Sequence, residues 1–275
     1  MASRGILVSF LLPCAAIFLL FFVVPLGSLF VEASAEGLEA FRRLFADPLF
    51  WRGLGGSLIL GTSAPLGSVL IGFGVALHLS RLSETLRTVL MFVIALPLTF
   101  SGLIVAYGFI LLLGRAGFVT LALAKLGFDP AVVGAFIFTP AGLGLAYSYY
   151  LIPRVVMVVL PVLRNFDVGQ LTAAQSLGAP SWRVHLDILL PQVFPALLRA
   201  FCLTSAVAIG AYGTALALVG TQLNILPLLL YSKISETGTD FPAASALSIV
   251  LLSICCLIIG LSEVAGGVRF RRVNG

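Results

Sequence analysis

Apolar residues run along this chain in long blocks separated by short polar intervals, without the apolar–polar alternation of a half-exposed strand. Six blocks stand out: Ile6–Phe30, Leu54–Leu79, Val89–Leu113, Val133–Leu160, Val193–Gly220 and Phe241–Leu261. As helices rising about 1.5 Å per residue, each is long enough to cross a hydrocarbon layer of roughly 30 Å. A backbone in lipid must satisfy its own hydrogen bonds, and runs this continuous do not fit barrel strands. The pattern therefore predicts an all-α membrane protein with about six transmembrane helices. The fourth block is the least uniform, with Pro140 and Pro153 inside it and Arg154 near its far end. The first is followed by Val31-Glu32-Ala33-Ser34-Ala35, which has the form of a signal-peptidase site. Its apolar run far exceeds the roughly 7–15 residues of a signal h-region, so an uncleaved signal anchor is expected. The layout divides into a first helix and outer loop over 1–53, a transmembrane domain over 54–262 and a tail over 263–275.

One polar interval, 162–191, is longer and differently built. Asp167 followed by Gln170 predicts a helix start of the capping-box type, and an amphipathic helix over Leu171–Leu177 follows. Gly178 suits the left-handed residue that closes such a helix, Pro180 suits the first turn of a second helix through Ile188, and Pro191 marks the start of the fifth span. Two short helices at an angle would leave Leu171, Leu177, Trp182, Val184 and Leu186 free for a partner or for the lipid surface.

Composition narrows the function. The 275 residues are 60% hydrophobic and 10% charged, against roughly 25% charged in soluble domains. This excludes a secreted enzyme, a nucleic-acid-binding domain and a disordered regulator. The net charge of +5 matters through its placement. With the N-terminus inside, the inner segments hold Arg4, Arg81, Arg87, Arg154, Arg164, Arg183, Arg199, Arg269, Arg271 and Arg272; the outer ones hold Arg42, Arg43, Arg52, Arg115, Lys125 and Lys233. This excess predicts both termini in the cytoplasm. Cys14, Cys202, Cys255 and Cys256 all lie in apolar runs and have no zinc-site spacing.

Catalytic and energy-coupling chemistry finds no foothold. A P-loop needs a lysine followed by Ser or Thr, whereas Lys125 sits in Ala-Lys-Leu and Lys233 in Ser-Lys-Ile, so ATP hydrolysis would fall to a separate subunit. His78 and His185 lie far apart, with no acid or second ligand at the same depth, so neither a metal site nor a cofactor is expected. No acidic residue falls in mid-span, which argues against an ion-coupled secondary transporter. Tyr107, Tyr147, Tyr150 and Tyr212 are candidates for a translocation path, although helix packing explains such residues as readily. Tyr212 stands out because Gly210 and Gly213 flank it where a helix could bend.

The interval after the fourth span reads Thr172-Ala173-Ala174, then Gly178, then Ile188-Leu189-Leu190-Pro191. It resembles the E-A-A-x3-G-x9-I-x-L-P signature of permease subunits of ABC importers, matching it at Ala173, Ala174, Gly178, Ile188, Leu190 and Pro191. Thr172 stands where the family has Glu, which removes a charged contact while leaving a hydroxyl. The runs from Gly56 to Leu77 and from Asp240 to Ser248 are similar to the start of the family's permease domain and to its final helix. The resemblance implies a type I importer permease fold whose 162–191 loop, through Thr172 and the six matching residues, couples to a dimer of cytoplasmic ATPase subunits. It also implies a second homologous permease or a second copy, and a periplasmic solute-binding protein. Gly114–Pro130 and Phe138-Thr139-Pro140 look most like permeases for polyamines such as spermidine and putrescine. Those for 2-aminoethylphosphonate, thiamine and ferric iron are near alternatives.

Overall fold

The computed structural model describes residues 12–235 and 240–273, without the side chains of residue 221 and of residues 265–273. The first six residues of the expected first span, Ile6–Leu11, and Arg4 of the inner charges lie outside the described residues.

The described chain is helical. Helix α1 spans Leu12–Ala33, with a π turn at Leu19–Val23, and α2 spans Glu39–Ala46. Helix α3, Pro48–Ser80, starts at a cap in which the Asp47 side chain accepts from Leu49 N at 2.9 Å, with Pro48 in the first turn where no N–H is needed. Among the described residues, six helical stretches are long and apolar enough to cross a membrane: Leu12–Ala33, Pro48–Ser80, Gly102–Ala124, Pro140–Arg164, Ser181–Ile209 and Phe241–Val264. The six-span expectation is met, with shifted boundaries.

Each shift has a local cause. The expected third span divides into α4, Glu84–Ala95, and α5, Gly102–Leu113. Pro97 cannot donate a helical hydrogen bond, the chain tightens into a 3-10 turn over Leu96–Thr99, and Ser101 caps a new helix by accepting from Ile104 N. A short helix α6, Phe118–Ala124, follows a turn at Gly114–Gly117 and is tied back to α5 by Thr120 Oγ1 donating to Leu113 O at 3.1 Å. The fourth span is α7, Pro140–Arg164, set by Thr139 accepting from Gly142 N at 3.2 Å rather than starting at Val133.

Beyond α7 come α8, Gly169–Ser176, and α9, Ser181–Ile209, then α10, Gly213–Val219, and α11, Leu226–Ser235. The last helix, α12, runs from Phe241 to Val273. The expected second stub, Pro180–Ile188, is therefore not separate, because it forms the first turns of the fifth span. Pro191 has no N–H to offer, and the helix widens into a π turn over His185–Leu189 instead of stopping, with Leu190 N donating to His185 O.

Helices α3, α7 and α9 form the centre of the bundle, and α12 packs on α9 and α1. At the end nearest α8 the core is Val69, Ala76, Leu79, Val155, Val159, Leu189 and Val193. In the middle it is Leu60, Ala64, Tyr147, Leu151, Ala208 and Leu218, and at the opposite end Ala33, Leu44, Phe50, Leu226 and Leu247. At that opposite end Lys233 Nζ pairs with Asp47 at 3.3 Å and Arg43 pairs with Glu36 at 2.6 Å.

Candidate coupling site and translocation surface

Helix α8 carries no charged residue and is rich in small ones, so its position depends on its ends. At the start, Asp167 accepts from Gly169 N at 2.9 Å, the cap expected of it. The Gln170 side chain does not return to close a capping box. Its Oε1 instead accepts from Gln192 Nε2 at 2.7 Å, which ties α8 to the base of α9. At the end, Gly178 has φ +89°, Gly178 N donates to Gln175 O at 2.9 Å and Ala179 N donates to Ala174 O at 3.2 Å. These two bonds are the paired closure of a Schellman turn, in which a left-handed glycine lets the chain reverse sharply.

Of the signature residues, Thr172, Ala173, Gly178 and Pro191 are exposed, while Ala174, Ile188 and Leu190 are half-buried. Thr172 Oγ1 donates weakly to Val168 O at 3.4 Å, so its oxygen remains able to accept from a partner. Around the turn, Leu177 is 89% exposed and Trp182 62%, with Leu186 and Val168 also open. Val184, expected among the partner-facing residues, is buried in the core, and Leu171 is half-buried against it. The turn thus presents a small apolar knob, edged by the exposed Arg183 guanidinium 5.6 Å from the centre of the Trp182 ring.

Behind the knob lies an ion cluster that pattern reading missed. Glu84 at the start of α4 pairs with Arg87 one turn on and with Arg164 at the end of α7, at 3.2 Å. The hydrogen bond from Arg87, and then the charges of Arg164 and Arg87, hold the Glu84 carboxyl below the usual carboxylate range. The only sequence signal was that all three charges flank span ends.

The four candidate tyrosines do not form one surface. Tyr147 is fully buried, and its hydroxyl donates to Ala211 O at 2.9 Å. Tyr150 is buried beside it with ring centroids 5.7 Å apart, and Arg154 donates to Tyr150 O at 2.7 Å. Tyr212 is half-buried in the break between α9 and α10, its ring 5.4 Å from that of Tyr231. Tyr107 stands on α5, more than half exposed.

The break that holds Tyr212 is braced from two sides. Tyr147 supplies a partner for the Ala211 carbonyl, and Thr214 Oγ1 donates to Gly102 O at 3.0 Å. Gly102 is needed for that approach, since a Cβ there would collide with Thr214 Oγ1. The interruptions of the third and fifth spans therefore meet.

Residues 68–264 match the family described as binding-protein-dependent transport system inner membrane component. The chain belongs to this family. It is an ABC importer permease subunit, a membrane-spanning transport component without enzymatic activity. It is 33% identical over 239 residues to the chloroplastic sulfate permease 2 of Chlamydomonas reinhardtii, an alignment that covers 86% of this chain and 62% of that protein. The sulfate transport system permease protein CysW of Synechocystis sp. is 28% identical, with 92% of this chain and 91% of that protein covered. The spermidine/putrescine transport system permease protein PotB of Escherichia coli K12 is 27% identical, with 81% and 80% covered. Among solved structures, a chain of a bacterial alginate ABC transporter, crystallised with its alginate pentasaccharide-bound periplasmic protein, superposes with a TM-score of 0.76. That superposition covers 94% of this chain and 92% of the other at 20% identity.

Proposed function

We propose that this permease subunit transmits the motion of a cytoplasmic ATPase dimer through the α8 knob. The observation that carries the reading is the exposed turn closed by left-handed Gly178, ringed by the apolar Leu177, Trp182 and Leu186 with Arg183 stacked on Trp182. An apolar projection of this kind is suited to a groove on a partner. Thr172, Ala173, Ala174 and Gly178 form the contact, and Ile188, Leu190 and Pro191 carry the displacement into α9. Both termini lie in the cytoplasm of a bacterial inner membrane. A second homologous permease or a second copy completes the path, and a periplasmic binding protein delivers the solute. Tyr212 and Tyr107 face that path, while Tyr147 and Tyr150 support it from within the bundle.

For the cargo, the spans favour an oxyanion of the sulfate kind. No acidic side chain stands in mid-span to hold a polycation, whereas Arg154 lies within α7. The names of two of the relatives above point the same way. A polyamine is the second reading, supported by the likeness to PotB and by the Tyr212–Tyr231 ring pair, since aromatic faces attract ammonium groups. Proteoliposomes holding this subunit, its partner permease, ATPase and binding protein are expected to accumulate labelled sulfate only with ATP. Accumulation of spermidine in place of sulfate reverses the cargo assignment, and uptake by the permease without ATPase refutes the coupling role.

A further inference from the structure

Between α8 and the span ends lies a cleft of about 640 Å³. Arg81, Glu84, Arg87, Arg164, Thr172 and Gln175 are among the polar residues that line it. Three guanidinium groups thus face one carboxylate, and that carboxylate is already shared by Arg87 and Arg164. Arg87 is nearly buried and also donates to Leu82 O at 3.3 Å, so its charge is held in place. Arg81 has no acidic partner among the described residues. The cleft therefore keeps an uncompensated positive charge beside neutral hydrogen-bonding groups, an arrangement suited to the oxygens of a phosphate.

The surroundings indicate the source of that phosphate. Helix α4, which carries Glu84 and Arg87, exposes Leu86, Val89, Phe92 and Val93 on the face turned away from the bundle, so the helix that walls the cleft borders the bilayer. A basic pocket set between the ends of spans that border the bilayer lies at headgroup depth, the place expected for the phosphate of an anionic lipid.

We propose that this cleft is a phosphate-binding site filled by the headgroup of an anionic phospholipid. The bound phosphate joins Arg81 and Arg164, at the ends of α3 and α7, to Thr172 and Gln175 of α8, and so stiffens the seat of the coupling knob. This role is independent of the cargo.

The test uses the full-length subunit in nanodiscs of phosphatidylcholine, with and without phosphatidylglycerol, and in detergent with inorganic phosphate. Phosphatidylglycerol is expected to raise the unfolding midpoint by a few degrees. Arg81→Gln, which breaks no ion pair, is expected to remove most of that shift, Arg81→Gln with Arg164→Gln all of it, and Arg81→Lys to keep it. An equal shift in both glutamine variants overturns the site. An arginine-dependent shift with inorganic phosphate and none with phosphatidylglycerol overturns the lipid assignment in favour of a soluble phosphate. Loss of ATPase binding by Arg81→Gln, with the lipid shift intact, also overturns the proposal and makes the cleft part of the ATPase contact.

Discussion

The chain interrupts its helices in two ways, at Gly178 and at Gly210–Gly213, and the contrast separates what is local from what is tertiary. At Gly178 the reversal is complete, the residue is exposed, and nothing beyond its own helix closes the turn. At Gly210–Gly213 the helix axis is merely broken, every φ is negative, and side chains from α7 and contacts from α5 brace the break. A turn closed by its own backbone can ride as a rigid unit on a partner. A break closed by neighbours moves only when they do, which suits a gate.

The largest effect that would sharpen this contrast is on transport. At Gly178 a valine is forced into the left-handed region, at a cost of about 1–2 kcal/mol, and the escape is to unwind the turn. Gly178→Val is expected to abolish ATP-driven uptake while leaving insertion intact and lowering the unfolding midpoint by no more than a few degrees. Gly178→Asn, which tolerates the conformation better, should keep part of the activity. A Gly178→Val subunit that fails to insert would erase the distinction between the two breaks.

The second effect should appear in stability. At Gly102 a methyl group meets the Thr214 hydroxyl, and overpacking of this kind costs roughly 1–3 kcal/mol. Gly102→Ala should lower the unfolding midpoint, and Thr214→Ala in the same chain should restore part of it, because removing the hydroxyl opens the space. Strictly additive losses in that double-mutant cycle would show that the two spans are not joined there.

The amount legible in the sequence follows the same division. Six spans, the Asp167 cap, the Gly178 reversal and the signature from Ala173 to Pro191 were all readable, because each depends on residues within a few positions of one another. The third span's division at Pro97 was readable in principle, since a proline in an apolar run followed by Ser101-Gly102 is a break-and-cap pattern. The fusion of the second stub into α9 was not, because a π turn absorbs Pro191 without leaving a sequence mark. The Tyr147–Ala211 bond, the Gln170–Gln192 tie and the Glu84 cluster join residues far apart in sequence, and no periodicity registers them.

The smallest effect tests the brace on the fifth span most directly. The Tyr147 hydroxyl gives the Ala211 carbonyl a partner at a point where the interrupted helix does not, and the residue is fully buried, so phenylalanine fits the same space. Tyr147→Phe therefore removes one hydrogen bond and little else, a loss on the order of 1 kcal/mol inside a membrane bundle. The unfolding midpoint should fall slightly. Transport should change by more than that fall accounts for, since the freed carbonyl alters the balance between conformations of the break rather than the fold. A variant with the small stability loss and unaltered transport would make the brace a packing detail, leaving the Thr214–Gly102 contact as the link between the two interrupted spans.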